Sequence, residues 1–197
     1  FGKGHDDWHS VELLKMIRKL QPGIIVDNRL DLNDYQDGYD FETPVQVSPE
    51  ALAKYRGKTW ETCQNFSGSW GYYRDETTWK THRQLLDLLI SSVSNGGNLI
   101  LNVGPTARGE FDYRATNALD SMSYWMHAND KAIYNCTYAP ATFKVPEGTK
   151  LSYNPATKRL YMFLYDYPEN GSLILPGYNG KIKYAQFLND DSELLFK

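Results

Sequence analysis

The alternation of helical and strand-like segments in the first two thirds of the chain is the feature that most constrains the fold. Two short apolar runs without polar alternation, IIVDNR at 24–29 and NLILNV at 98–103, are typical of strands buried on both faces. TWETCQNF at 59–66 predicts a third strand. Apolar residues recur at helical spacing over 10–20, 77–94 and 112–129. Strands that alternate with helices predict a parallel sheet covered by helices, and therefore the α/β class.

Polar residues stand at the ends of these predicted strands. Asp27, Asn28 and Arg29 follow the first apolar run, Glu61 lies within the second strand, and Asn102 closes the third. Three strands cannot close a barrel, so we expect either a small open sheet or the second half of a (β/α)8-like barrel. In such barrels the catalytic face is formed at the carboxyl ends of the strands.

The remainder of the chain has a different pattern. After Tyr134, short alternating runs are separated by Asn-Pro, Glu-Asn-Gly and Asn-Gly, which predicts antiparallel strands joined by hairpin turns. We therefore predict two domains, an α/β part at 1–135 and a β part at 136–197. The polar stretch 30–58 is predicted to be a long loop, and loops of this length are usually functional or disordered.

Composition excludes several classes of partner. The net charge of −3 without a basic block argues against nucleic acid. No apolar run approaches the roughly 20 residues of a membrane span. The two cysteines, Cys63 and Cys136, and the four scattered histidines have no metal-ligand spacing. We predict neither a metal site nor a cofactor.

The segment TWETCQNFSGSWGYYRD at 59–75 combines an acid, several aromatic rings and small residues. Aromatic rings cover the apolar faces of a pyranose, and acids bond its hydroxyls or perform chemistry on it. Glu61 is therefore a candidate catalytic residue, and Trp60, Trp70 and Tyr72 are candidate walls of a sugar pocket. A surface acid beside ordinary core aromatics is the alternative interpretation.

Four segments together carry a resemblance to a known family. IIVDNRL, TWETCQNFSGSWGYYRD, SNGGNLILNVGPTARGEFD and KAIYNCTYAP resemble, in order and spacing, the C-terminal half of the α-L-fucosidases of glycoside hydrolase family 29. The resemblance implies a (β/α)8-like catalytic domain followed by an antiparallel β-sandwich, here incomplete. It also implies retaining hydrolysis that releases terminal α-L-fucose from a fucosylated glycan, with two carboxylates as the catalytic pair.

The resemblance places the nucleophilic Asp upstream of Phe1, so we expect this chain to lack it. Asp6 and Asp7 are interpreted as acids of a loop and a first helical turn, because no apolar strand precedes them. A missing segment or a partner chain is expected to complete the barrel. Without it, we expect residues 1–197 neither to fold stably nor to hydrolyse a substrate.

The acid/base residue is less directly indicated. Many family members carry Thr-Pro-Glu after the long loop, but here Val45 occupies the position of that Glu. The resemblance offers a Glu after Trp as the other position, which is Glu61, and Glu42 is the alternative. A general acid needs a raised pKa. Glu61 bonded to loop amides or to Arg29 is the structural interpretation of the same residue.

Arg29 matches the Arg at the end of a family strand near the nucleophile and the sugar. We expect it to hold a carboxylate in a bidentate contact and to bind substrate, or alternatively to fix the loop 30–58. Relatives often have Trp after this Arg, whereas this chain has Leu30, so one pocket wall is expected to differ.

Two further functions stay open at this stage. One is a non-catalytic carbohydrate-binding or structural fragment. The other is α-L-galactosidase activity, because an apolar pocket rejects an added hydroxyl only weakly. The resemblance implies a secreted, periplasmic or lysosomal protein, and the sequons at Asn65, Asn135 and Asn170 matter only in a eukaryotic secretory route.

Overall fold

The computed structural model describes residues 2–45, 48–178 and 180–196. These described residues form four α-helices: α1 (Ser10–Leu20), α2 (Pro49–Ala53), α3 (His82–Ser94) and α4 (Tyr113–Asn129). The strands in the described ranges are β1 (Glu61–Asn65), β2 (Asn98–Asn102), β3 (Thr137–Tyr138), β4 (Thr149–Asn154) and β5 (Arg159–Leu164). Two 3₁₀ turns cover Asn28–Leu30 and Asp130–Ala132. The predicted mixed α/β architecture is confirmed.

The first sheet is parallel, as predicted. Strands β1 and β2 pair in register from Glu61 with Asn98 to Asn65 with Asn102. Isolated parallel bridges join Asp27 to Phe41 and Glu42 to Trp60, so two further extended segments continue the sheet beyond β1. The polar loop predicted over 30–58 therefore contains one of these segments as well as α2.

The strand predicted at IIVDNR is wrong over most of its length. Only Asp27 of this run forms a ladder bridge in the described chain, and the Ile25 side chain is 64% exposed. Val26 is tied to Asp40 instead, through the backbone bond from Asp40 N to Val26 O at 2.7 Å and the bond from Val26 N to Asp40 Oδ2 at 2.6 Å. The chain then enters the 3₁₀ turn, because the Asp27 carboxylate accepts from Arg29 N at 3.1 Å.

The start of α1 agrees with prediction, and that of α3 does not. Helix α1 begins at Ser10, which is buried, and His9 is its N-cap in a left-handed conformation. Helix α3 begins at His82 and not at Thr77. Thr81 and Gln84 form a reciprocal capping box there, with Gln84 N donating to Thr81 Oγ1 and Thr81 N donating to Gln84 Oε1.

The second sheet is antiparallel with the order β3-β4-β5. The hairpin predicted at Asn-Pro is confirmed, because β4 and β5 pair directly and the Asn154 side chain accepts from the turn amides of Ala156 and Thr157. Beyond Leu164, the described residues contain a single bridge, Gln186 with Glu193. The further strands predicted there are not formed, and no second sheet faces this one within the described residues.

Helix α3 lies between the two sheets and contacts both. Ile90 and Val93 of α3 pack with Ala132, Ile133 and Phe163 in one buried cluster. Leu85 of the same helix packs with Phe66 and Ala118 in a second cluster, on the side of the parallel sheet. Among the described residues, none of the helices is both long and apolar enough to cross a membrane.

A polar contact also attaches the antiparallel sheet to α3. Asp87 of α3 accepts from Lys150 Nζ of β4 and from Tyr165 Oη, the latter at 2.5 Å. Burial and the neighbouring carboxylate raise the pKa of Tyr165, so this phenol stays a donor.

Candidate active site

Three acids lie side by side on neighbouring extended segments. Asp27 bridges to Phe41, whose neighbour Glu42 bridges to Trp60. The backbone bonds from Glu42 N to Thr59 O at 3.1 Å and from Glu61 N to Glu42 O at 2.8 Å fix this arrangement. The parallel pairing therefore makes the backbones of Glu42 and Glu61, the two residues predicted as alternative proton donors, neighbours in the sheet. Because Glu42 pairs with Trp60 and successive side chains alternate between the faces of a sheet, the Glu61 side chain lies on the face opposite to Glu42, together with Asp27.

Glu42 is surrounded by donors. Its Oε2 accepts from Asn28 Nδ2 at 2.9 Å, and its Oε1 accepts from Tyr39 Oη at 3.1 Å and lies 3.4 Å from Lys58 Nζ. The side chain is only 16% exposed. The hydrogen bond to Glu42 and its negative charge raise the pKa of Tyr39, as expected for a phenol that donates to a carboxylate. All these contacts use Glu42 as an acceptor.

Glu61 is in a different environment. It is the first residue of β1 and is half-buried, and within the described residues its carboxylate accepts no side-chain or backbone hydrogen bond. Burial, and to a smaller extent the negative charge of Asp27, raise the pKa of Glu61. A carboxyl group that stays protonated to higher pH is suited to general acid catalysis. The alternative interpretation, a contact between Glu61 and loop amides or Arg29, is not observed among the described residues.

Arg29 does not hold a carboxylate in the described chain, which corrects that expectation. Its Nε donates to Thr43 Oγ1 and its Nη2 donates to Thr43 O at 3.0 Å. The guanidinium therefore joins the 3₁₀ turn to the segment that carries Glu42. This contact is the loop-fixing role considered as the alternative, and the side chain remains exposed at the surface.

Trp60 is not a pocket wall. It is 1% exposed and lies in the interior, where a Cβ on Gly97 would meet the indole ring at 2.3 Å. The absence of a side chain at Gly97 leaves the space that the ring fills. The Trp60 Nε1 atom is buried without a hydrogen-bond partner among the described residues. The prediction that Trp60 faces substrate is therefore wrong.

Trp70 and Tyr72 lie at the opposite end of the parallel strands from Glu61. Asn102, the last residue of β2, donates from Nδ2 to Trp70 O at 2.6 Å, and the Trp70 side chain is 53% exposed. Strand β1 rises by about 3.3 Å per residue, so Glu61 and Asn65 are separated by roughly 13 Å along it. The aromatic pair therefore lies at the carboxyl ends of the parallel strands, where (β/α)8-like barrels form their catalytic face, whereas Glu61 begins its strand at the amino end.

Sequence reasoning missed Glu76, which fixes the aromatic loop. This acid is 7% exposed and accepts from Ser69 Oγ at 2.7 Å, from Thr78 N at 2.7 Å and from Thr78 Oγ1 at 2.6 Å. The Thr78 hydroxyl first, and then the Ser69 hydroxyl, lower the pKa of Glu76 to about 2. The hydroxyl residues around it, Ser69, Thr77 and Thr78, are the only sequence signal for this role.

The family model described as alpha-L-fucosidase matches residues 2–131, about two thirds of the chain. The chain belongs to the α-L-fucosidase family. Its relatives include the plasma alpha-L-fucosidase of Rattus norvegicus, 32% identical over 85% of this chain and 38% of that protein. An alpha-L-fucosidase of Branchiostoma floridae is 31% identical over 85% of this chain and 38% of that protein.

Solved α-L-fucosidase structures resemble the whole described fold. Isoenzyme 1 from Paenibacillus thiaminolyticus superposes with a TM-score of 0.85 at 32% identity, over 98% of this chain and 46% of that one. A family 29 enzyme of Bacteroides thetaiotaomicron, solved as a trapped covalent intermediate in complex with 2-fluoro-fucosyl fluoride, gives 0.80 at 25% identity, over 94% and 46%. The chain spans less than half the length of these α-L-fucosidases.

The described part of this α-L-fucosidase family member contains no group of three or more His, Cys, Asp or Glu side chains arranged to hold a metal ion. Cys63 and Cys136 are both free thiols. Burial raises the pKa of the Cys136 thiol, which makes it less reactive as a nucleophile.

Proposed function

We propose that the protein containing this chain is a retaining glycoside hydrolase that releases terminal α-L-fucose from fucosylated glycans. The observation that carries the proposal is the environment of Glu61, a half-buried carboxyl group with a raised pKa beside Asp27. Membership of the α-L-fucosidase family supports the sugar. The trapped covalent intermediate of the Bacteroides relative supports the retaining course of the reaction.

In the proposed reaction, a nucleophilic Asp outside residues 1–197 attacks the anomeric carbon of the fucoside. Asp6 and Asp7 do not suit this role, because both are exposed and Asp7 accepts from Gly4 N in the same loop. The bond between the anomeric carbon and the glycosidic oxygen breaks as Glu61 gives its proton to that oxygen. The released alcohol carries this proton, and a fucosyl ester of the Asp remains.

The second step reverses these roles. The ionised Glu61 removes a proton from a water molecule, whose oxygen attacks the anomeric carbon of the ester. The ester bond breaks, α-L-fucose leaves, and both carboxyl groups return to their initial states. Arg29, exposed beside Glu42, is proposed to bind the sugar, and Trp70 and Tyr72 are proposed to contact a more distant part of the glycan.

The finer architecture belongs to the same proposal. We infer that β1, β2 and the two bridged segments form part of a (β/α)8-like barrel, and that β3-β4-β5 belongs to a β-sandwich, with the division near residues 135 and 136. A further segment or a partner chain would complete the barrel. The plasma and tissue forms among the relatives support a secreted or lysosomal location.

The test uses the full natural chain that contains these residues. We expect release of p-nitrophenol from p-nitrophenyl α-L-fucoside, with α-L-fucose as the first anomer seen by NMR. The matched p-nitrophenyl α-L-galactoside differs by one hydroxyl and measures the rival sugar preference. Binding of fucose without turnover would identify a carbohydrate-binding protein, and β-L-fucose as the first anomer would exclude the retaining reaction.

A further inference from the structure

A continuous series of side-chain hydrogen bonds connects Glu42 to Arg29. The Glu42 carboxylate accepts from Asn28 Nδ2 at 2.9 Å. The Oδ1 atom of the same amide accepts from Thr43 Oγ1 at 2.7 Å. Thr43 Oγ1 in turn accepts from Arg29 Nε, and Thr43 O accepts from Arg29 Nη2 at 3.0 Å. We name Glu42, Asn28, Thr43 and Arg29 the relay.

The donor and acceptor role of each group in the relay is fixed by its neighbours. An ionised carboxylate and a guanidinium fix the two ends, because the first only accepts and the second only donates. The Asn28 amide must then turn its NH₂ to Glu42 and its oxygen to Thr43. The Thr43 hydroxyl is left to donate to Asn28 and accept from Arg29. Lys58 Nζ lies 3.4 Å from the other oxygen of Glu42, so that oxygen also faces only donors.

The relay leaves part of the guanidinium unused. Arginine carries five N–H donors, and within the described residues two of them bind Thr43. The remaining donors lie on an exposed side chain, at the 3₁₀ turn that directly follows Asp27. Neutral sugar hydroxyls accept hydrogen bonds from such donors. A planar guanidinium whose one edge is bound to Thr43 presents its other edge in a defined direction.

We propose that Glu42 is a positioning residue that acts through Asn28 and Thr43 to hold the free edge of Arg29 toward a hydroxyl of the bound sugar. The proposal rests on the function proposed above. It assigns Glu42 a role other than proton transfer, and it makes Thr43 necessary for binding although Thr43 itself does not contact substrate.

Thr43 offers a matched pair of substitutions, in the full natural chain. Thr43→Val keeps the shape and removes the hydroxyl, whereas Thr43→Ser keeps the hydroxyl. We expect Thr43→Val and Glu42→Gln to lower kcat/KM for the α-L-fucoside by about 10- to 100-fold, since small misplacement of a binding group has effects of this order. Thr43→Ser and the control Glu50→Gln, at an exposed position in α2, should stay near the starting enzyme.

Three readouts separate positioning from general stability and from proton transfer. Glu42→Gln should affect activated and poor leaving groups equally and should keep the basic limb of the pH profile. Arg29→Lys combined with Thr43→Val should be no worse than Arg29→Lys alone, since both act on one contact. The Arg29 Nε–H signal in NMR should exchange slowly with water in Thr43→Ser and rapidly in Thr43→Val and Glu42→Gln.

The possible results distinguish the two proposals. If Thr43→Val matches Thr43→Ser in activity and in Nε–H exchange, the relay is overturned. Loss confined to poor leaving groups in Glu42→Gln, with rescue of the aryl substrate by azide, would make Glu42 the proton donor and would also overturn it. An unsubstituted protein without fucoside turnover, but with the expected Nε–H pattern, would reject the proposed function while keeping the relay geometry.

Discussion

The backbone N–H of Glu61 donates a 2.8 Å hydrogen bond to the backbone carbonyl of Glu42. Two acids on adjacent segments therefore share one bond of the sheet, yet their side chains have opposite environments. Glu42 faces an amide, a phenol and an ammonium group, and Glu61 has no such donor among the described residues. This difference supports Glu61 over Glu42 as the proposed proton donor and leads to the first two predictions.

Glu61→Gln should remove general acid catalysis in the full natural chain. We expect a loss of about 10²–10⁴-fold on a substrate with a poor leaving group, and a much smaller loss on an aryl fucoside that needs no protonation. Azide, which needs no general base, should restore turnover of the aryl substrate. Glu147→Gln, at an exposed position, serves as the control. Equal losses on both substrates without azide rescue would place the proton donor elsewhere.

The same substitution should raise stability at neutral pH. A carboxyl group with a raised pKa binds its proton more tightly in the folded state, so stability falls as pH rises from about 4.5, the ordinary value, through the folded pKa. Glutamine has no charge to bury and does not show this loss. We expect Glu61→Gln to have a higher Tm than the unsubstituted protein at pH 7 and an equal Tm near pH 4. A lower Tm at pH 7 would show that ionised Glu61 has stabilising partners.

Glu76 should have the opposite pH dependence. Its folded pKa of about 2 is lower than the ordinary 4.5, so its stabilisation is complete above pH 4.5 and is lost as pH falls through about 2. Glu76→Gln should lower Tm at pH 7 and flatten the fall of Tm between those two pH values. The exposed Glu147→Gln is the comparison. An unchanged acid slope in Glu76→Gln would contradict the hydrogen-bonded, ionised state of this residue.

Gly97→Ala should destabilise the fold by forcing the Trp60 ring to move. The added Cβ would lie 2.3 Å from Cε2 and Cζ2 of the indole, and overpacking of a buried ring typically costs about 1–3 kcal/mol. Thermal unfolding should show a clear fall in Tm. Gly23→Ala is the matched control, because a Cβ there meets nothing within 4 Å. Equal Tm values for the two variants would show that Trp60 is less tightly held than its burial indicates.

Local sequence signals predicted correctly those elements whose formation depends only on residues close by in the sequence. The apolar spacing of α1 and α4 and the Asn-Pro hairpin depend on neighbouring residues, and all three were predicted correctly. IIVDNR was not, because the strand character of an apolar run depends on partners distant in sequence, and Asp40 ties Val26 from fourteen residues away. The start of α3 was missed because Thr77 and Thr81 both suit a cap, and only Thr81 has Gln84 three residues later.

The candidate site was predicted in part. The motif around Glu61 indicated the acid, but the pairing of its backbone with that of Glu42 depends on strand register. Trp60 was predicted to face substrate because composition cannot distinguish a ring beside a pocket from a ring against a glycine. Glu76 gave no periodic or motif signal, since its role depends on hydroxyl groups folded around it. Which residues act on substrate stays a prediction for all of them.

Helix α3 has a consequence for how this protein can be recombined. Its residues Ile90 and Val93 pack with Phe163 of the antiparallel sheet, and Asp87 accepts from Lys150 of that sheet, while Leu85 packs beneath the parallel one. In a chimera joined at residue 136, α3 would come from one parent and the antiparallel sheet that it contacts from the other. Exchange of the C-terminal sheet between relatives should therefore succeed only when the sheet-facing positions of α3 are transferred with it. The boundary of an exchangeable segment is then set by the packing of α3 and not by the chain connection at residue 136.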